Sequence, residues 1–152
     1  MILDNLKTFG LCCALVLGTF GVIATLPAPG FSEPAVAQSQ QQSVIAMGSF
    51  VTVEQDHPTV GTARIISENG KRYLEFDSEF TTAQGPDVQV ILHRGGSIPV
   101  NLNEGDYVTI AALQQFDGTQ RYALPDNIDI NQFQSVGIWC REFNVTFGYA
   151  AL

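Results

Sequence analysis

Positive charge is scarce in this sequence. Its 152 residues contain seven Lys or Arg against fifteen Asp or Glu, and the formal net charge is −8 at pH 7. The only adjacent pair of Lys or Arg residues is Lys71-Arg72, so the chain has no basic cluster. Nucleic acids and anionic membrane surfaces are bound through such clusters. We therefore expect neither of them to be a partner.

Cysteine is scarcer still. Two of the three cysteines, Cys12 and Cys13, lie in an N-terminal apolar stretch, and Cys140 is the only one in the rest of the chain. No intramolecular disulfide can form there, and the C-x-x-C and C-x-x-C-H motifs of dithiol redox and haem proteins are missing. The G-x-S-x-G, H-E-x-x-H and phosphate-binding glycine motifs are missing too. With no catalytic constellation to recognise, we do not expect a stand-alone enzyme.

Charge is missing altogether from residues 8–26. Lys7 precedes this run, and Ala35-Val36-Ala37 has the small-x-small pattern that signal peptidases need. We therefore predict a signal peptide over residues 1–37 and an extracytoplasmic location, whether periplasmic, secreted or in the cell envelope. The uncharged run of 19 residues is also long enough to span a bilayer. The alternative is an uncleaved anchor, in which residues 8–26 hold the protein in the inner membrane.

The remainder of the chain divides into a short linker and one domain. Residues 38–47 begin as a polar, aperiodic run and are predicted to be a polar linker. From 48 to 152, apolar residues alternate and turn residues recur, with no helical stripe. This pattern predicts a single all-β domain, an antiparallel β-sandwich or closed β-barrel of at least seven strands. Besides the hairpin and the C-terminal segment described next, the predicted strands are 49–53, 88–93, 107–113, 120–124 and 128–130.

Asn69-Gly70 marks the clearest hairpin, because both central positions of a type I′ turn need positive φ. The resulting register pairs Ile65 with Leu74 and Arg64 with Glu75. The apolar pair then faces one side of the hairpin and the charged pair faces the other. Asp117-Gly118 is a second turn signal, which predicts a hairpin between strands 107–113 and 120–124.

The C-terminal segment carries two apolar sets of opposite parity on either side of Arg141-Glu142. One regular strand cannot turn both sets inward, so a β-bulge or a turn must shift the chain there. Cys140 is then the last inward residue before the shift, and Trp139 points to the opposite face. The two sets are Val136, Ile138 and Cys140, followed by Phe143, Val145 and Phe147.

Four residues after position 37 carry thiolate, thioether or imidazole donors: Met47, His57, His93 and Cys140. These are the donor types of a blue-copper centre. No such donor follows Cys140, however, so the spacing does not favour copper. Haem needs only one or two axial ligands from anywhere in the fold, and Cys140 with His57 could supply them. His93 ends a predicted strand beside Arg94, where we expect a solvated side chain.

Several short motifs between Gly48 and Leu152 resemble the DM-thirteen domain. The most specific is I-W-C at 138–140 followed by F-x-V-x-F-G at 143–148, with G-P-D at 85–87 and Y-A-L-P at 122–125. This secreted module occurs in Skeletor-like animal proteins, beside DOMON domains, and alone in bacterial exported proteins. The resemblance implies an all-β extracytoplasmic domain that transfers electrons through the cysteine at position 140, as a bare thiol or as the ligand of a prosthetic group such as haem. His57 matches a family position that has no agreed role.

Two functions are compatible with these observations. The first is an exported redox module that works through Cys140 and meets its redox partner or an envelope component in trans, since no DOMON domain is present. A reactive thiolate needs a nearby cation, and Arg141 is the only one close in sequence. The second is a non-enzymatic ligand-binding or adhesion module in which Cys140 is structural, because free cysteines are often plain buried hydrophobes.

Overall fold

Eight antiparallel strands make up the fold in a computed structural model that describes residues 41–152. The predicted signal peptide or anchor at 1–37 lies outside the described residues. The strands form one sheet in the order β5-β4-β7-β8-β1-β2-β3-β6, which confirms the all-β prediction and the minimum of seven strands. They are β1 (Gln42–Thr52), β2 (Thr62–Glu68), β3 (Lys71–Phe76), β4 (Val88–His93), β5 (Tyr107–Ala112), β6 (Gln120–Leu124), β7 (Ser135–Cys140) and β8 (Val145–Ala151).

The two ends of the sheet, β5 and β6, meet through side chains. The hydroxyl of Tyr122 on β6 accepts a hydrogen bond from the backbone N–H of Gln114, just after β5, at 3.0 Å. The side-chain amide of Gln120 accepts from the N–H of Gln115 and donates to its carbonyl oxygen, at 3.2 and 2.9 Å. The sheet is therefore nearly closed and barrel-like. Within residues 41–152, no helix has the length and apolar character to cross a membrane.

The hairpin predicted from Asp117-Gly118 is wrong. The backbone of β6 pairs with β3, whereas β6 meets the end of β5 only through side chains. Asp117 forms an isolated bridge with Thr81, and the N–H of Gly118 donates to the carbonyl of Phe80 at 2.8 Å. Gly118 has the positive φ of a turn residue, 77°, but these long-range bonds hold the connection against residues 80–81 instead of in a tight hairpin turn.

β1 begins earlier than predicted and joins two parts of the sheet. Its first part pairs with β2, from Gln42 opposite Glu68, and its last three residues pair with β8. The predicted linker over 38–47 is therefore corrected at 42–47, while 38–40 lie outside the described residues. This part of β1 was not predicted as a strand, because its sequence has no alternation of buried and exposed residues: the side chains of Val44 and Met47 are 57% and 62% exposed. Backbone pairing holds this part of β1 without an alternating apolar face.

The hairpin of β2 and β3 has the predicted register. Asn69 and Gly70 adopt φ values of 52° and 75°, as a type I′ turn requires. Ile65 lies opposite Leu74 and Arg64 opposite Glu75. The Arg64 guanidinium contacts the Glu75 carboxylate at 2.8 Å on the outer face.

Residues 128–130 do not form the predicted strand. A one-turn 3-10 helix, Ile130–Gln132, begins after Asp129, whose carboxylate accepts from the N–H of Asn131 at 3.1 Å. This hydrogen bond holds the pKa of Asp129 below its ordinary value. Arg72 donates to the carbonyl of Ile128 at 2.9 Å. A side chain thus satisfies a backbone oxygen that a strand would have paired.

Apolar side chains form two clusters, one on each face of the sheet. The interior cluster draws residues from all eight strands, and Phe50, Phe76 and Phe80 pack together in it with ring centroids 4.6–5.3 Å apart. A smaller cluster lies on the outer face under the connection between β4 and β5. Its buried members are Ile91, Ile98, Leu102 and Trp139.

Candidate functional site

Cys140 is the last residue of β7 and is fully buried. It lies opposite Val88 of β4 and Val145 of β8. Its side chain joins the interior cluster with Val136 and Ile138, so the predicted inward orientation is confirmed. Among residues 41–152 it is the one free cysteine.

The apolar pattern changes parity around Arg141-Glu142 because a turn ends one strand there and the next strand follows. A turn was one of the two predicted possibilities. Residues 141–144 connect β7 to β8, and a further irregularity in β8 leaves Phe147 as an extra residue between Thr146 and Gly148. Phe143 was expected to point inward, and this was wrong because it lies in the turn, where strand alternation does not apply. Its side chain is 65% exposed.

Asn144 holds this turn and joins it to the outer face. It adopts a positive φ of 51°, which Asn tolerates better than most residues. Its Oδ1 accepts from the indole N–H of Trp139 at 3.0 Å and from the N–H of Leu102 at 2.9 Å. Its Nδ2 donates to the carbonyl of Leu102 at 3.2 Å. Trp139 is thereby fixed on the face opposite Cys140, as predicted.

A pocket of about 280 Å³ lies at this end of the barrel and brings Cys140 and His57 together. Cys140 and His57 are far apart in the sequence, but both side chains line this one pocket. Most of the other lining residues are apolar. The complete lining is Glu54, His57, Gln84, Gly85, Pro86, Cys140, Phe143, Val145 and Phe147.

His57 is held by its backbone and by stacking. Its N–H donates to the carbonyl of Glu54 at 2.9 Å, and its imidazole lies on the phenyl ring of Phe147, with centroids 4.4 Å apart and planes 9° apart. The Nδ1 atom is buried without a hydrogen-bond partner. Buried polar atoms are nearly always hydrogen-bonded, so this unpaired nitrogen is unusual.

The loop that carries His57 is pinned to β8. The N–H of Val53 donates to the carbonyl of Phe147 at 2.8 Å, and Thr59 exchanges hydrogen bonds with the side chain of Thr52 at 3.1 and 3.2 Å. Gly148 permits this close approach, because a Cβ there would lie 2.5 Å from the Cβ of Thr59. The position of His57 therefore depends on the irregular segment of β8.

Arg141, the cation nearest to Cys140 in sequence, is bound elsewhere. Its Nε donates to the carboxylate of Asp87 at 2.7 Å, and its side chain is 61% exposed. It is not among the residues that line the pocket. Arg141 was expected to assist a thiolate only if the chain turned it back toward Cys140, and the geometry gives that condition no support.

The other donor residues lie outside the pocket. Met47 is exposed on β1. His93 is buried instead of solvated, because β4 lies between β5 and β7, and its Nδ1 accepts from the N–H of Gly95 at 3.0 Å. Among residues 41–152, no group of three or more His, Cys, Asp or Glu side chains is arranged to hold a metal ion. The four donors of the blue-copper type do not converge.

Haem does not fit this pocket. Clefts that enclose drug-sized ligands measure about 300–1,000 Å³, and a porphyrin is larger than most such ligands, whereas this pocket measures about 280 Å³. The sulfur of Cys140 is fully buried, so a macrocycle could not reach it without rearrangement of the lining residues.

The sequence analysis named Cys140 and His57 as candidates, and both line this pocket, but it did not name the residues that position them. The stacking of Phe147 on His57 and the contribution of Glu54 to the lining are long-range contacts without a local motif. Asn144 carried a usable signal, because Asn is enriched at positive φ in tight turns.

Comparison with known families gives one match. The model of a family described as "Electron transfer DM13" matches residues 49–152. The match includes Cys140, His57 and every other residue that lines the pocket. No curated protein and no solved structure matches the chain.

Proposed function

Since the chain belongs to the DM13 family of electron-transfer domains, we propose that it is an exported electron-transfer module in which the thiol of Cys140 is the redox group. The observation that carries this proposal is the pocket shared by Cys140 and His57. Its small size favours a bare thiol over a haem ligand. The signal-like sequence at 1–37 supports export.

A single thiol transfers electrons by exchange with a disulfide. The pocket lining must first move, because Cys140 is fully buried. The Cys140 thiolate then attacks one sulfur of the partner disulfide, and the disulfide bond breaks as a mixed disulfide forms. The other sulfur leaves as a thiolate and takes up a proton. Because residues 41–152 contain no second cysteine, a thiol from a partner in trans must attack the mixed disulfide and return Cys140 to the thiol form.

His57 is suited to handle the proton in this exchange. A general base must come within hydrogen-bond reach of the proton that it takes, directly or through one water. His57 lines the pocket with Cys140, but its Nδ1 makes no hydrogen bond, so none joins it to the Cys140 sulfur. The proton transfer therefore requires a bridging water or a small movement of the ring. We assign it the role of accepting the proton of the Cys140 thiol when the thiolate forms.

The complete burial of Cys140 favours a second candidate. In that alternative the domain is a non-enzymatic ligand-binding or adhesion module, and Cys140 only fills space in the interior. Replacement of Cys140 by Ala separates the two functions: electron exchange is lost under the first, and binding survives with a modest loss of stability under the second. Val136→Ala is the matched control, because Val136 is buried on the same strand but does not line the pocket.

The test begins with protein produced with its native N-terminal sequence. Its absorption spectrum and metal content are measured, and its thiols are titrated before and after denaturation. The proposal predicts a Cys140 thiol that reacts in the folded protein and no visible band that depends on Cys140. A visible absorption band that is lost in Cys140→Ala would show that a prosthetic group, and not the bare thiol, is the redox group. A thiol that reacts only after denaturation would overturn the redox role.

A further inference from the structure

One carboxylate, that of Glu54, lines the pocket, and two further acidic residues lie next to lining residues in the sequence. Glu54 lines the pocket, and its Oε1 accepts from the N–H of Asp56 at 3.2 Å, which places Asp56 beside it. Glu142 is exposed in the turn next to Phe143, which also lines the pocket. We call the surface formed by Glu54, Asp56, Glu142 and Phe143 the pocket mouth.

No cation compensates these carboxylates within the part of the chain that the structure describes. Glu54, Asp56 and Glu142 take part in none of its ion pairs. Arg141, which adjoins Glu142, is paired with Asp87. The remaining cations pair or hydrogen-bond away from the pocket: Arg64, Lys71, Arg72, Arg94 and Arg121.

The pocket mouth combines this negative charge with an exposed apolar side chain. Phe143 is 65% exposed, although it belongs to a turn that Asn144 holds by several hydrogen bonds. Aromatic side chains at the centre of a patch with a charged rim are typical of protein interfaces. Charge complementarity at such a rim governs which partners associate and how fast.

We propose that the pocket mouth is the docking surface for a positively charged redox partner, a protein with Lys or Arg around the disulfide that it presents to Cys140. This inference rests on the proposed thiol function and adds the charge of the partner. Phe143 supplies the apolar contact, and the carboxylates of Glu54, Asp56 and Glu142 attract the basic rim. A negatively charged partner is repelled by the same groups.

The test uses two small disulfides of opposite charge as probes, cystamine with two ammonium groups and dithiodipropionate with two carboxylates. The full chain carries Cys12→Ser and Cys13→Ser, so that Cys140 is its only thiol. Each reaction forms a mixed disulfide on Cys140 and releases one thiol of the probe, and intact mass measures its rate. We expect cystamine to react about tenfold faster or more at low salt, within the range of electrostatic steering.

Measurements at high salt and on charge variants test whether the carboxylates of the pocket mouth cause the preference for cystamine. The preference should shrink at about 1 M salt, where the screening length is about 3 Å. Glu54→Gln with Glu142→Gln should reduce the preference several-fold. The matched control is Glu79→Gln with Glu104→Gln, which removes the same charge from exposed positions outside residues 53–57 and 141–145 and should leave the preference unchanged.

The outcomes separate this inference from the proposed function. Equal rates for the two disulfides, or an equal effect of the control pair, would overturn the docking surface and leave the thiol function standing. If neither disulfide reacts with the folded protein, the thiol function fails, and the docking surface is then decided by NMR titration with a basic cytochrome c. Shifts confined to residues 53–57 and 141–145 would support it, and shifts elsewhere or none would overturn it.

Discussion

The imidazole of His57 lies parallel to the phenyl ring of Phe147, with the planes 9° and the ring centroids 4.4 Å apart. The stack belongs to the lining of the pocket that contains Cys140. The Nδ1 atom of His57 is buried and has no hydrogen-bond partner. An unpaired buried polar atom costs about 1–3 kcal/mol, so this arrangement lowers stability at the place where the proposed chemistry occurs.

Replacement of His57 by Phe should therefore separate stability from function. The phenyl ring can keep the stack on Phe147 and removes the unpaired nitrogen, so we expect the free energy of unfolding to stay equal or rise by about 1 kcal/mol. The exchange rate of Cys140 with cystamine should fall by about tenfold or more, because the proton acceptor is lost. Urea denaturation and intact mass measure the two effects. An unchanged exchange rate would remove His57 from the mechanism.

Asn144 should be a major contributor to the stability of the C-terminal hairpin. Its side chain makes three hydrogen bonds, to Trp139 and to both backbone groups of Leu102, and each contributes about 0.5–1.5 kcal/mol. We expect Asn144→Gly to cost about 2–4 kcal/mol, although glycine tolerates the positive φ. Trp139, the only tryptophan, reports unfolding in urea through its fluorescence.

The control for Asn144 is Asn144→Asp, which keeps the Oδ1 acceptor and loses the Nδ2 donor. It should cost less than Asn144→Gly, because the bonds from Trp139 and from the N–H of Leu102 can remain. Equal costs for the two variants would show that the acceptor bonds do not contribute, contrary to the geometry.

Tyr122 should make the closure of the barrel sensitive to alkaline pH. Burial raises the pKa of Tyr122 above 10.0, against a smaller lowering by the hydrogen bond from the N–H of Gln114. Above pH 10 the unfolded chain loses this proton before the folded chain does, so the contribution of Tyr122 to stability decreases as pH rises. Below pH 10, Tyr122→Phe should be less stable than the natural protein by about 1–3 kcal/mol.

The comparison across pH 10 tests this assignment. The stability difference between the natural protein and Tyr122→Phe should narrow as pH rises above 10.0, because only the natural protein carries the titrating hydroxyl at this position. Urea denaturation on either side of pH 10 measures the difference. A difference that stays constant would contradict the burial of the hydroxyl in the closed barrel.

Local signals predicted the parts of the fold in which turn chemistry and alternation agree. Asn69-Gly70 and the apolar pattern beside it specify one register, and β2 and β3 adopt it. Local sequence patterns failed where the strand pairing depends on residues far apart in the sequence. Residues 42–47 form a strand with exposed side chains because β2 supplies backbone partners. β6 pairs with β3 because the connection after β5 is bonded to residues 80–82.

The candidate site was predictable in part for the same reason. The parity of β7 was enough to place Cys140 inward and Trp139 outward, since both orientations follow from strand alternation. Neither the stack of His57 on Phe147 nor the pocket could be predicted, because they depend on how β8 and the loop after β1 approach each other. Phe143 was placed inward in error because alternation was extended into a turn.

The most direct test of the central claim is the reaction rate of Cys140 with cystamine in the folded full chain that carries Cys12→Ser and Cys13→Ser. The account predicts that folded protein forms the mixed disulfide much faster than it unfolds, returns to the thiol form when a thiol is added, and shows no reaction in Cys140→Ala. A rate equal to the rate of global unfolding would contradict the account, because Cys140 would then be only a buried hydrophobic residue.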